Sequence, residues 1–131
     1  MNILGIDLGT TGLKAVLTDE SGKILGIGYK QYPLDVPHRG FAEQSPQVWY
    51  EALCHAVREV LDKTGIPASS IGCVGFSGQM HGLVALDRSG SVLCPAIIHC
   101  DGRAFREKSE LCSLISTEQF GEWTQNRPNS G

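Results

Sequence analysis

The sequence contains neither G-x-x-x-x-G-K-[ST] nor G-x-G-x-x-G, which excludes two nucleotide-binding turns that spacing alone would reveal. It has no C-x-x-C pair among its five cysteines, Cys54, Cys73, Cys94, Cys100 and Cys112. An odd number of thiols without paired spacing argues against a disulfide framework, so reduced, buried small side chains are the expected role. His99-Cys100 taken with Cys94 and Cys112 matches no zinc-ligand spacing. No apolar run is long enough to cross a membrane. The opening Met1–Asp7 lacks a basic n-region, and Asp7 interrupts its apolar run. A cytoplasmic location is the resulting expectation. Charge of one sign is nowhere concentrated: eleven basic and fourteen acidic residues give a net charge of -3. Neither nucleic acid nor a membrane surface is therefore expected as a partner.

What is present is an ordinary globular composition, 41% hydrophobic and 19% charged over 131 residues, enough for one domain with a core. Asn2–Asp7 is apolar and leads through Gly9-Thr10-Thr11-Gly12 into a second apolar run, Leu13–Thr18. Asp19-Glu20-Ser21-Gly22 has turn chemistry, and Lys23–Tyr32 alternates as a third strand, so the chain opens as an antiparallel meander. Ser45 before Pro46 reads as an N-cap followed by a first-turn proline, and Gly65 with Pro67 reads as a stop, predicting a helix over Pro46–Thr64. Trp49, Leu53, Ala56, Val57, Val60 and Leu61 share one face of it. Ile71–Phe76 is a short continuous apolar run, expected as a parallel strand buried on both faces. Leu83–Asp87 and Val92–Ile98 flank Asp87-Arg88-Ser89-Gly90 and read as a hairpin. Asp101–Ile115 has helical spacing, while Ser116 onward, with Gly121 and Arg127-Pro128-Asn129-Ser130-Gly131, reads as turns.

The first hairpin tip carries a chemistry of its own. Gly9 and Gly12 let the backbone approach a ligand and take positive φ. The exposed amides and the Thr10 and Thr11 hydroxyls are donors suited to phosphate oxygens, and Lys14 adds a positive charge. Asp7 would repel phosphate directly, so its carboxylate makes sense facing magnesium, directly or through water. A plain Gly-Thr turn uses the same residues and stands as the alternative. Further on, Gln79-Met80-His81 follows the buried-strand candidate, where ligands bind in open sheets. Gln79 and His81 offer hydrogen bonds to a polyol and Met80 an apolar surface, although a core methionine and a satisfied histidine are open alternatives. Asp101 and Arg103 read equally as a surface ion pair.

Gly5–Lys14, G-I-D-L-G-T-T-G-L-K, resembles the first phosphate loop of the actin and hexokinase ATPase superfamily. Ser77-Gly78-Gln79-Met80-His81-Gly82 and Pro95–Arg103 resemble the sugar-binding turn and the P-A-I-L-W-x-D-x-R segment of its FGGY carbohydrate kinase branch, in the xylulokinase-like group. The resemblance runs from Asn2 to about Asn126. It implies an α/β, ribonuclease H-like (actin-like ATPase) mixed sheet with flanking helices, as an incomplete N-terminal domain. Residues 1–131 would be the N-terminal part of the first kinase domain, with the C-terminal domain lying beyond it. It also implies ATP and Mg2+ as cofactors and D-xylulose as acceptor, converted to D-xylulose 5-phosphate. Gln79, Met80, His81, His99, Asp101 and Arg103 would serve the sugar, the last two holding hydroxyls or the loop that holds them. Asp7, Gly9, Thr10, Thr11, Gly12 and Lys14 would serve ATP and metal. His99 stands where the family pattern has tryptophan, exchanging a broad apolar wall for a smaller titratable one. The general-base aspartate is expected downstream, so the fragment alone is expected to be inactive. Another pentulose, a polyol, a sugar acid or a non-catalytic sugar-binding module are the alternatives, and a free sheet edge makes a homodimer plausible.

Overall fold

The computed structural model describes residues 1–129. The chain opens as a meander of β1 (Asn2–Leu8), β2 (Gly12–Asp19) and β3 (Ile24–Gln31). A short strand, β4 (Glu43–Gln44), precedes the long helix α1 (Pro46–Thr64), and a 3-10 turn at Ala68–Ser70 leads into β5 (Ile71–Gly78). β6 (Ala96–Ile97) and the helices α2 (Phe105–Leu114) and α3 (Thr117–Thr124) follow. The main sheet has the order β3-β2-β1-β5, with β1 antiparallel to β2 and parallel to β5. β4 and β6 pair antiparallel in a separate two-stranded sheet. This is the mixed sheet with flanking helices that the sequence led us to expect.

Alternation along the strands sends Leu4 and Ile6 of β1, and Leu13, Ala15 and Leu17 of β2, to one face, where none is more than 5% exposed. α1 lies on that face through Ala52, Ala56 and Val60, with Trp49, Leu53, Val57 and Leu61 packed around them. Small residues bring helix and sheet close: a Cβ built on Gly28 of β3 would fall 1.9 Å from the Ala56 carbonyl oxygen. The helix ends are set locally. Ser45 is extended and caps through its backbone carbonyl, which accepts from Val48 and Trp49, rather than through its hydroxyl. Gly65, at φ 66°, closes the other end by donating to Leu61 O.

Several expectations change. β5 is a strand parallel to β1 but is not buried on both faces: it is an edge strand, with Val74 49% and Phe76 73% exposed. It pairs with β1 alone, and the described elements leave its sides open. Leu83–Ile98 makes isolated bridges at Leu83↔Ile97 and Leu86↔Val92 instead of a continuous hairpin ladder. Pro95 supplies no donor there, and Ala96–Ile97 pairs with β4. The helix expected over Asp101–Ile115 begins only at Phe105, because Asp101 and Arg103 are engaged elsewhere. Residues 117–124 form α3 rather than turns, started by Ser116, whose hydroxyl accepts from Gln119 N–H. Ser130 and Gly131 of the expected terminal turn lie outside the described residues. Cys73, Cys94, Cys100 and Cys112 are exposed and only Cys54 is partly buried, contrary to the expected burial. Among the described residues no helix is long and apolar enough to cross a membrane.

Candidate functional site

β1 and β2 stay paired until Leu8 opposes Leu13, and Gly9–Thr11 form the tip between them. Gly9 N–H donates to Gly12 O (3.1 Å) and closes the tip. Its carbonyls are turned toward the protein. Gly9 O accepts from the Tyr32 hydroxyl, Thr10 O from Gln44 Nε2 (2.7 Å), and Thr11 O from Tyr32 N–H (3.2 Å). The Thr10 and Thr11 N–H groups have no hydrogen-bond partner among the described residues. Carbonyls held inward and amides left free are the makings of an anion nest. Neither Gly9 nor Gly12 takes the positive φ expected of it. Their role is close approach: a Cβ on Gly12 would lie 2.8 Å from Lys30 O, and one on Gly9 3.0 Å from Gly12 O.

Asp7 and Lys14 are opposed across the β1–β2 ladder, both exposed, and neither takes part in an ion pair among the described residues. Both charges are thus available to a ligand. Tyr32, which holds the tip from below, is 5% exposed. Burial, with smaller contributions from Tyr29 and Asp7, pushes its phenol up to about 12, so it stays a protonated donor at neutral pH.

The turn after β5 is stitched to the end of β1, where Gln79 N–H donates to Leu8 O (2.8 Å). Met80 is 72% exposed. His81 has φ 62°, the left-handed region that side-chain-bearing residues seldom enter. Strain of this kind survives where the surrounding structure dictates it, and it collects at ligand sites. Hairpin and turn meet: Asp7, Gly9 and Thr10 from one, and Gln79, Met80 and His81 from the other, line a single hollow of ≈ 500 Å³. Gly78, His99 and Asn129 complete its wall. The volume suits a small ligand. A larger groove of ≈ 880 Å³ between β3 and α1 holds none of these residues.

Thr11, Gly12 and Lys14 belong to the same hairpin but do not line the hollow, and neither do Asp101 and Arg103. Asp101 is 2% exposed. Its carboxylate accepts from Ala42 N–H (2.7 Å), from Arg103 N–H (2.9 Å) and from Arg103 Nε and Nη2. Arg103 Nη2 also donates to Glu43 Oε1 (2.6 Å), and the guanidinium carbon stands 3.9 Å over the Phe41 ring. Arg103 lowers the Asp101 pKa to about 2, against the opposing effect of burial. These groups clip β4 to the segment after β6. These contacts occupy the Asp101 carboxylate and the Nε and Nη2 of Arg103, and neither side chain lines the hollow.

The family model described as "FGGY family of carbohydrate kinases, N-terminal domain" matches residues 2–130. The chain belongs to the FGGY family of carbohydrate kinases. It is 36% identical over 133 residues to the xylulose kinase of Bacillus subtilis, an alignment covering 98% of this chain and 26% of the relative. A glycerol kinase from Rhizobium meliloti is 35% identical over 118 residues, covering 88% of this chain and 24% of that one. The crystal structure of a xyloylose kinase from Brucella ovis superposes with a TM-score of 0.92 at 35% identity, over 99% of this chain and 27% of its own. The FGGY chain thus spans about a quarter of the length of the curated relatives it matches.

Sequence reasoning missed Gln44 and Tyr32, which hold the tip from behind, Glu43, which holds Arg103, and Asn129, which lines the hollow. Gln44-Ser45-Pro46 signalled only a helix start. Among the described residues no three His, Cys, Asp or Glu side chains gather as a metal centre. Asp7 brings one carboxylate to the hollow. One carboxylate completed by phosphate oxygens and water suits magnesium, and free amides beside it suit the phosphates themselves.

Proposed function

We propose that this chain supplies the phosphate hairpin and acceptor-binding turn of an ATP-dependent kinase that converts D-xylulose to D-xylulose 5-phosphate. The observation that carries the reading is the shared hollow, in which a nest-like tip and a strained polar turn face one space. The free tip amides and Lys14 would hold phosphate oxygens. Asp7 would hold magnesium, which when bound neutralises charge on the transferring group. Gln79 and His81 would address acceptor hydroxyls while Met80 covers its carbons. His99 narrows the wall where an indole would be broader.

D-xylulose is favoured by the Bacillus subtilis and Brucella ovis relatives. A different polyol is the second reading, favoured by the Rhizobium meliloti glycerol kinase. In this account residues 1–131 are the N-terminal part of the first kinase domain of a cytoplasmic enzyme, without nucleic-acid or membrane partners. No residue here is assigned as general base, so the 131-residue polypeptide alone is proposed to be inactive. The open β5 edge, with Val74 and Phe76, is where a second copy would associate if the protein dimerises. The test is ADP release by the complete kinase polypeptide with D-xylulose, glycerol and gluconate. D-xylulose should give the highest kcat/KM; preference for glycerol would move the assignment to the second reading, and no turnover with any acceptor would refute both.

A further inference from the structure

Gln44 is 2% exposed, and its side-chain amide uses all of its hydrogen-bonding capacity. Its Nε2 donates to Thr10 O (2.7 Å) and Pro33 O (3.2 Å). Its Oε1 accepts from Trp49 Nε1 (3.1 Å) and Gln79 Nε2 (3.0 Å). Three of these partners admit no choice of orientation. Backbone carbonyls only accept, and an indole N–H only donates, so the Gln44 amide can sit one way round. That settles Gln79 in turn: its NH2 must face Gln44, which leaves its carbonyl as the remaining group. Gln79 Oε1 is shielded from solvent and has no partner among the described residues, although Gln79 lines the hollow. Buried acceptors are normally satisfied, so one left without a partner calls for a donor, and the hollow that Gln79 lines is the side from which a ligand donor would come.

The same amide therefore touches both halves of the hollow, the tip through Thr10 O and the acceptor turn through Gln79. We propose that Gln44 is a positioning residue that locks the phosphate tip and the acceptor turn into one register, and that it orients Gln79 as a hydrogen-bond acceptor for a substrate hydroxyl. The inference rests on the kinase reading above and deepens it. It specifies a hydroxyl donor at Gln79, and it couples the phosphate subsite to the sugar subsite by a path of two hydrogen bonds, Thr10–Gln44 and Gln44–Gln79. A residue that merely filled the space behind the hairpin would need none of this polarity; methionine would do as well.

Gln44→Met, close in shape and unable to make any of the four bonds, is the primary variant, made in the complete kinase. Gln79→Leu, on a partly exposed turn, is the second, and the two are also combined. The readout is kcat/KM for the sugar and for a set of its monodeoxy analogues, together with amide hydrogen exchange. The wild type should prefer the full sugar over one deoxy analogue by roughly tenfold, the scale of a single neutral hydrogen bond. Each single variant should abolish that preference, and the double variant should lose no more than Gln44→Met alone. Gln44→Met should also raise exchange at Thr10–Thr11 and at Met80–His81 together, while the middle of α1 stays protected. If Gln44→Met fails to fold, Gln79→Leu alone decides, since it must erase the preference for one hydroxyl. Unchanged deoxy discrimination in the variants, or additive losses in the double variant, overturns the inference while leaving the kinase reading intact. A wild type that turns over no sugar refutes the kinase reading and, with it, the substrate half of the inference; unchanged exchange in Gln44→Met would refute the positioning half separately.

Discussion

Gly28→Ala tests how closely α1 is held to the sheet. The new Cβ would stand 1.9 Å from Ala56 O, 2.9 Å from Ala56 C and 3.1 Å from Val60 N, all backbone atoms of the helix. Tight real contacts lie at 3.0–3.4 Å, so the surfaces must part by about 1.1 Å at least and by about 1.5 Å for comfort. A mid-helix carbonyl cannot swing aside, so α1 would have to lift as a body. Ala52, Ala56 and Val60 would then lose contact with Leu13, Ala15 and Leu17. Overpacking of well-fitted cores costs about 1–3 kcal/mol, and a displacement of this size belongs at or above the upper end, about 3 kcal/mol. For a chain of this length that is a fall in Tm of roughly 10–15 °C. Gly75→Ala is the control, because a Cβ there meets nothing within 4 Å; it should be neutral to about 0.5 kcal/mol. Denaturant unfolding of both variants beside the wild type measures the difference. If Gly28→Ala unfolds at the same midpoint as Gly75→Ala, the close contact between α1 and β3 does not exist as described.

Asp101→Asn should show a pH signature. The Asp101 pKa is lowered from 3.8 to about 2, so the unfolded chain binds more protons between those values and stability rises with pH across them. The wild type should exceed the variant above about pH 4, with the gap closing as pH falls through about 2; a gap independent of pH in acid titrations would refute the charge-based clip. His81→Gly should leave unfolding stability within about 0.5 kcal/mol, since relief of the left-handed backbone offsets the added freedom of the unfolded chain. In the same variant KM for the sugar should rise severalfold, and an unchanged KM would remove the ring from the acceptor site. Lys14→Ala should raise KM for ATP by about two- to fivefold, as expected for one exposed charge, with less effect at high salt. Its KM for the sugar should stay put, and a change confined to the sugar would misplace the residue.

The parts of this fold that were legible in the sequence are those set by neighbours along the chain. Apolar runs on either side of a Gly-Thr turn revealed β1 and β2, alternation revealed β3, and Ser45, Pro46 and Gly65 marked the limits of α1. The two halves of the hollow were also visible, since each is a short contiguous turn. What escaped notice depends on residues far apart in sequence. Gln44 meets Thr10 across 34 positions and Gln79 across 35, and Asp101 reaches Ala42 across 59. No local pattern announces such a partner, so Gln44 passed for a helix-start residue, and the Asp101–Arg103 pair was legible while its ties to Ala42 and Glu43 were not. β5 shows the converse: its apolar run identified a strand correctly, but composition cannot say which elements cover it. Gly121 and the polar character of 117–124 concealed α3, although Ser116 was a usable cap signal.

The most direct test of the account is a structure of the complete kinase with D-xylulose and a non-hydrolysable ATP analogue bound. The account predicts sugar hydroxyls within hydrogen-bonding distance of Gln79 and His81, and the terminal phosphate facing the Thr10 and Thr11 amides with Asp7 on the magnesium side. Sugar seated outside the hollow, or phosphates held elsewhere than on the β1–β2 tip, would contradict it.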